Sequence, residues 1–294
     1  MVVGAFGSLV GARGGVMNLR RGMGWRWNST GAFKDMSLTI PEAGEGKVAV
    51  VSLARPHRMN ALSLDMGQGL LAMEYELKAQ GIRACVITGQ GDKAFSTGRD
   101  LKDSKTHTQE QAREYLNIAR DTVLKTYNSP IPTIAAINGY AFGWGLELAL
   151  GCDLRVVCAD STMCFPECGL GIFPGAAGTV LLPRLVGPSI AKDLILTSRH
   201  FTGSEAFELG LANRVAPTPE ATVDIAIELA VQIAKNAPLG VAGARKVIDQ
   251  GLDLSFGEHI NLSDENRFPL NDTEDFAEAL KAFSEKRAPV FKGC

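Results

Sequence analysis

From Lys47 onward, short apolar runs alternate with longer segments whose apolar positions follow a helical period. Lys47–Leu53 (KVAVVSL), Ala84–Thr88 (ACVIT), Pro132–Ile137 (PTIAAI) and Leu154–Cys158 (LRVVC) predict strands. These runs are largely apolar rather than alternating, which suits strands buried on both faces of a sheet. Ser63–Ala79 sets Leu64, Leu70, Leu71, Met73 and Leu77 on a helical period, and Thr108–Tyr127 does so with Tyr115, Ile118, Val123 and Leu124. Strand–helix alternation of this kind predicts an α/β fold with largely parallel pairing.

The last third changes character. Thr202-Gly203-Ser204-Glu205 fits a capping box, with Thr202 as N-cap and Glu205 reaching back, and the helix it opens should stop at Gly210. Pro219–Lys235, Pro238–Gln250, Phe256–Asn266 and Asp272–Lys286 all read as helices. The domain organisation expected is therefore a leader over 1–35, an α/β core over 36–234 and a helical oligomerisation region over 235–294.

Composition narrows the class of protein. A net charge of -2 over 294 residues argues against a nucleic-acid partner, which would call for a basic face. Residues 1–34 hold Arg13, Arg20, Arg21, Arg26 and Lys34 and no acid, with many Gly. That pattern reads as a disordered transit peptide, and a mitochondrial matrix location is expected. Translation from Met17 would give a shorter form of the same leader. Residues 134–151 are apolar, but Asn138, Glu147 and four glycines interrupt them, so no membrane span is expected. The cysteines Cys152, Cys158, Cys164 and Cys168 are spaced C-x5-C-x5-C-x3-C without CxxC or a nearby His. They read as small reduced core residues rather than metal ligands.

Candidate chemistry lies at two glycine turns. Phe95–Lys102 (FSTGRDLK) follows the strand ACVIT, and Gly143-Trp144-Gly145 follows PTIAAI and opens a helical run over Leu146–Leu150. Glycine lets backbone approach a ligand, and N–H groups at a helix start lack intrahelical partners. Two such donors, one from each turn, would suit a carbonyl oxygen that gains negative charge. Glu147 stands in the first turn of the second helix amid Leu146, Leu148 and Leu150, and Glu167 follows Pro166 on a short extended segment. A paired carboxylate would provide general acid and base. Each feature has a plainer reading: ordinary glycine turns, an acid favoured by a helix dipole, and a loop acid in solvent.

Taken together, Arg55-Pro56 with Asn60-Ala61-Leu62, AFSTGRDLK, PTIAAINGYAFGWGLELALGCDLRV, PECGLGIFPGAAGT, TGSEAFELGLANRV and AFSEKRAPVFKG resemble the crotonase superfamily of enoyl-CoA hydratases and isomerases. The resemblance runs from about Lys47 to Lys292 and is nearest in feel to hydratases of the methylglutaconyl-CoA type. It implies a spiral of ββα units followed by a helical trimerisation region, in a homotrimer or a dimer of trimers. It also implies a CoA-thioester substrate, no separate cofactor, and a role in fatty-acid or branched-chain amino-acid degradation.

By the same resemblance, Glu147 and Glu167 are the catalytic pair, with Glu147 as base on water and Glu167 protonating C2. The N–H groups of Arg99 and Trp144 form the oxyanion hole. Substrate and CoA contacts fall on His57, Arg58, Met59, Ala61, Thr97, Gly98, Asp100, Leu101, Lys102, Gly143, Pro166, Pro174, Gly175, Phe283 and Lys292, with Lys286 a further phosphate candidate. The chain departs from the family pattern at Trp144 and Arg99, where small residues are usual. The Trp144 indole either projects toward the acyl pocket or packs into the core. An isomerase, another CoA-thioester enzyme of the family, or a non-catalytic CoA-binding protein are the alternatives.

Overall fold

The computed structural model describes residues 34–45, 47–100 and 108–294, so the expected leader and the candidates Leu101 and Lys102 lie outside the described residues. Three successive ββα units organise the core. The first is β3 (Ala84–Gly89), β4 (Ala94–Ser96) and α2 (Gln109–Tyr127). The second is β5 (Thr133–Ile137), β6 (Tyr140–Phe142) and α3 (Trp144–Gly151). The third is β7 (Leu154–Cys158), β8 (Thr162–Cys164) and α4 (Gly178–Leu196). They are preceded by β1 (Met36–Thr39), β2 (Val48–Leu53) and α1 (Leu64–Ala79) and followed by β9 (Phe201–Thr202), α5 (Gly203–Glu208) and β10 (Arg214–Ala216).

The first strand of each unit joins a six-stranded sheet of order β1-β2-β3-β5-β7-β10, and the second joins a four-stranded sheet of order β4-β6-β8-β9. The large sheet is parallel except where β1 pairs β2. This is the spiral that the resemblance implies. The apolar strands are buried on both faces as their composition requires. Ala49, Val51 and Leu53 enter one core with α1, α2 and α3, whereas Val48 and Val50 face a second core. That second core is closed by α6 (Pro219–Ala234), whose Ala226, Ala230 and Ala234 recur every four residues and let the helix sit close on the sheet.

Side-chain amides hold the corners where the first two units leave one sheet for the other. Asn138 donates to the carbonyls of Gly89 and Gly91 (both 2.8 Å) and accepts from the Gly89 N–H. Buried Asn60 donates to the carbonyls of Ala94 (2.7 Å) and Gln90 (3.1 Å). Both corners lie at the end of the sheet that carries the glycine turns.

The helical C-terminal region is present as α7 (Pro238–Gly251), α8 (Phe256–Arg267) and α9 (Glu274–Glu285). Among the described residues no single helix is long and apolar enough to cross a membrane, and the apolar stretch 134–151 is β5, β6 and the eight-residue α3. Only half of the expected capping box forms. The Thr202 hydroxyl accepts from the Glu205 N–H (3.1 Å), but the Glu205 carboxylate turns outward to Arg199 (2.7 Å), where a cation competes successfully for it. Cys85, Cys152, Cys158 and Cys164 are buried, and burial pushes the Cys152 thiol up to about 12 and that of Cys164 to about 11.

Candidate active site

The two glycine turns meet. A β-carbon placed on Gly98 would stand 2.5 Å from the Phe142 carbonyl oxygen and 3.2 Å from the Trp144 nitrogen, so only glycine permits the contact. Gly98 also has a φ of 79°, which favours glycine for a second reason. Its N–H bonds to the Ser96 hydroxyl and its carbonyl accepts from Leu62, which fixes the loop next to the Ala61–Leu62 segment. Gly143, with φ 48°, is the N-cap of α3, so the helix starts at Trp144 rather than after Gly145. As the first residue of that helix, Trp144 has an N–H without an intrahelical partner.

Glu147 is 2% exposed, one turn into α3. Its Oε1 accepts from the N–H groups of Ala176 (2.9 Å) and Gly178 (2.8 Å). Gly178 opens α4, so the carboxyl sits at a helix N-terminus whose dipole favours negative charge. Burial nevertheless prevails and pushes its pKa up to about 7, with the charge of Glu167 adding to the rise and the two N–H bonds opposing it.

Glu167 is not on an extended segment. It has αR geometry (φ −61°, ψ −41°) and leads into a single 3-10 turn over Cys168–Leu170, its carbonyl accepting from Leu170 and Ile172. That turn aims the side chain back at Gly143, where a β-carbon would lie 2.7 Å from Glu167 Oε1. Its Oε2 is buried and has no hydrogen-bond partner among the described residues. A buried carboxylate oxygen left in this state costs free energy that a bound polar group would relieve. Burial raises its pKa as well. The Glu167 carboxylate therefore lies against Gly143, the cap of the helix that carries Glu147, while the Glu147 carboxylate lies on the Ala176–Gly178 turn.

Most of the other candidates gather around this centre. Pro166 adjoins Gly143 beside Glu167, and Pro174 adjoins Gly178 beside Glu147. Gly175 faces Leu116 of α2, whose side chain is 47% exposed. His57, Arg58 and Met59 lie on and just after a 3-10 turn, and the Met59 carbonyl accepts from the Thr97 N–H (3.2 Å). Ala61 is held by Arg55, whose guanidinium donates to its carbonyl (2.8 Å) and pairs with Asp100 (3.2 Å). Asp100 is therefore a buried support of the rim. Phe283 and Lys292 are not brought to the glutamates within this chain. The tail is tied by Phe291 to Arg83 (2.7 Å), just before β3, while the site lies beyond the other end of that strand.

Trp144 settles one open question. Its indole is 4% exposed and packs into the core, with Nε1 donating to the Thr122 hydroxyl (3.1 Å) and its ring in an edge contact with Tyr115. Trp144→Ala is expected to lower unfolding free energy by about 3–5 kcal/mol. The measurement is the denaturant midpoint at constant slope; an unchanged midpoint would contradict this packing. Residues that pattern reading missed include Arg55, Ser96 and the N–H donors of Ala176 and Gly178. Only the glycine of the last pair carries a signal.

Comparison with known proteins identifies the family. The family profile described as enoyl-CoA hydratase/isomerase matches residues 43–294. An enoyl-CoA isomerase/hydratase of Zymoseptoria tritici is 37% identical over 270 residues, covering 87% of each chain. Methylglutaconyl-CoA hydratase 1, mitochondrial, of Pyricularia oryzae is 34% identical, covering 86% of this chain and 85% of its own. The crystal structure of an enoyl-CoA hydratase from Bacillus anthracis superposes with a TM-score of 0.85 at 35% identity, covering 89% of this chain and all of that one. The chain belongs to the enoyl-CoA hydratase/isomerase family.

Proposed function

We propose that this protein is a 2-enoyl-CoA hydratase, adding water across the 2,3 double bond of an enoyl-CoA thioester to give a 3-hydroxyacyl-CoA. The observation that carries this reading is a pair of carboxylates, Glu167 against Gly143 and Glu147 on the N–H groups of Ala176 and Gly178, beside the turn that presents the Trp144 N–H. The thioester carbonyl accepts from the N–H groups of Arg99 and Trp144. Those donors stabilise the negative charge that reaches the oxygen as water attacks C3. Glu147, held by two backbone N–H groups, takes the proton from water, and Glu167 delivers one to C2. A carboxyl with its pKa raised to about 7 suits the first task, because it is a stronger base than an ordinary carboxylate and is still about half ionised at neutral pH. The chemistry calls for neither metal nor redox cofactor.

The substrate is held through CoA contacts on the rim of residues 57–61 and 97–100. Lys292 and Phe283 would serve a neighbouring copy in a trimer. A mitochondrial location is supported by the acid-free, Arg-containing residues 1–34 and by the mitochondrial name of one relative. The experiment is to incubate crotonyl-CoA with the protein in ¹⁸O-labelled water, following loss of enoyl absorbance and the mass of the product. Labelled 3-hydroxybutyryl-CoA is the expected product. Migration of the double bond in a 3-enoyl-CoA with no hydration of any 2-enoyl-CoA would overturn the hydratase reading in favour of an isomerase.

A further inference from the structure

The two oxyanion donors come from different ββα units, one from the loop after β4 and one from the start of α3. Nothing in the chain's covalent connectivity sets the gap between them, yet catalysis of this kind tolerates little misplacement of the donors. A single side chain of α2 touches the side chains of both donor residues. The guanidinium carbon of Arg99 lies 4.5 Å from the centroid of the Tyr115 ring, a cation–π distance. The Trp144 ring meets the same Tyr115 ring edge-on, with centroids 5.3 Å apart and planes at 78°. The Tyr115 hydroxyl donates to the Leu62 carbonyl, and the Leu62 N–H donates to the Gly98 carbonyl (2.8 Å) while Leu62 bridges to Arg99. Thr122, seven residues on and so on the same helical face, accepts from the Trp144 indole (3.1 Å).

We propose that Tyr115 is a positioning residue that sets the spacing of the Arg99 and Trp144 N–H donors, with α2 as their common platform. This inference rests on the oxyanion role given to those two N–H groups above. Arg99 and Trp144 each set a side chain against the Tyr115 ring. Their side chains face a shared aromatic partner, which lets each backbone N–H be fixed from behind. Tyr115 is 4% exposed. Its hydroxyl bonds to Leu62, whose N–H holds the Gly98 carbonyl, so the ring and the hydroxyl bear on the same loop.

The test uses Tyr115→Leu, which removes both ring contacts, and Tyr115→Phe, which keeps the ring and removes only the hydroxyl. The readouts are kcat and KM for crotonyl-CoA and the C=O stretch of bound, ¹³C-labelled butyryl-CoA, a saturated thioester that cannot react. Donors correctly placed polarise the carbonyl and lower its stretching frequency. Tyr115→Leu is expected to lose about 10- to 100-fold in kcat with KM changed by less than about threefold. Its bound C=O stretch should return most of the way to the solution value, with Tyr115→Phe between it and the wild type. Should Tyr115→Leu fail to fold, Tyr115→Phe decides alone, because its packing is unchanged. Folded variants that shift the stretch and turn over as the wild type does would overturn this inference alone. A wild-type protein that binds butyryl-CoA and leaves the stretch at its solution value would overturn the oxyanion hole, and this inference with it.

Discussion

Glu147→Gln and Glu167→Gln each lower the hydration rate by roughly 10²–10⁴-fold, the range expected when a positioned acid or base is removed. The double variant is little worse than either single one, because the two groups act on one water and one substrate. In the wild type, kcat/KM falls as pH drops below about 7, where the Glu147 carboxylate becomes protonated and ceases to act as a base. Stability carries the opposite sign. The folded-state pKa of Glu147 lies above its ordinary value of 4.5, so the native state binds that proton more tightly than the unfolded chain does. Native stability is therefore lost as pH rises from about 4.5 to about 7, by at most about 3 kcal/mol. Glu147→Gln removes this loss while its amide oxygen still accepts from Ala176 and Gly178. The variant should match the wild type in melting temperature near pH 4 and exceed it near pH 8. A variant that keeps full turnover would end the two-carboxylate mechanism; one that melts lower at pH 8 than the wild type would show that ionised Glu147 is not strained by burial.

The parts of this fold that could be read from sequence are those long enough to show a pattern. KVAVVSL and ACVIT are β-branched runs, and burial on both sheet faces explains why they do not alternate. The second sheet leaves no such mark. Its strands β4, β6, β8 and β9 are three, three, three and two residues long, too short for any period to register. Helix α4 is hidden for another reason, since Pro183, Pro188 and a Gly187 with φ 78° interrupt it. The two glutamates were legible as acids in apolar, glycine-rich surroundings, but the places their carboxylates reach, Gly143 for Glu167 and the Ala176–Gly178 turn for Glu147, are tertiary facts. The N–H groups that hold Glu147 belong to the Ala176–Gly178 turn, where backbone does the binding and side chains reveal little. The direction of the Trp144 indole was equally beyond pattern reading, because it depends on the space that Gly67 leaves between α1 and α2.

Gly98→Ala abolishes most turnover while a matched glycine elsewhere does not, because Gly98 serves both backbone conformation and close approach. Its φ of 79° disfavours any L side chain, at a cost of roughly 1–2 kcal/mol. Its added β-carbon would also fall 2.5 Å from the Phe142 carbonyl oxygen, a backbone atom that cannot swing aside, and 3.2 Å from the Trp144 nitrogen. Relief of that collision must part the two turns that carry the oxyanion donors. Loss of one well-placed donor is worth about 10²–10³ in kcat, and that is the fall expected here. Gly210 supplies the control. Its φ of 77° is nearly the same, but nothing lies within 4 Å of its would-be β-carbon. Gly210→Ala should therefore lose stability of about the same conformational origin, roughly 1–2 kcal/mol, and keep its kcat. Parallel denaturation curves and hydration assays on the two variants separate strain from geometry. Equal turnover in both would mean that the Gly98 loop does not position the carbonyl. A loss of turnover confined to Gly98→Ala would place the oxyanion hole where the Gly98 loop meets the N-terminus of α3.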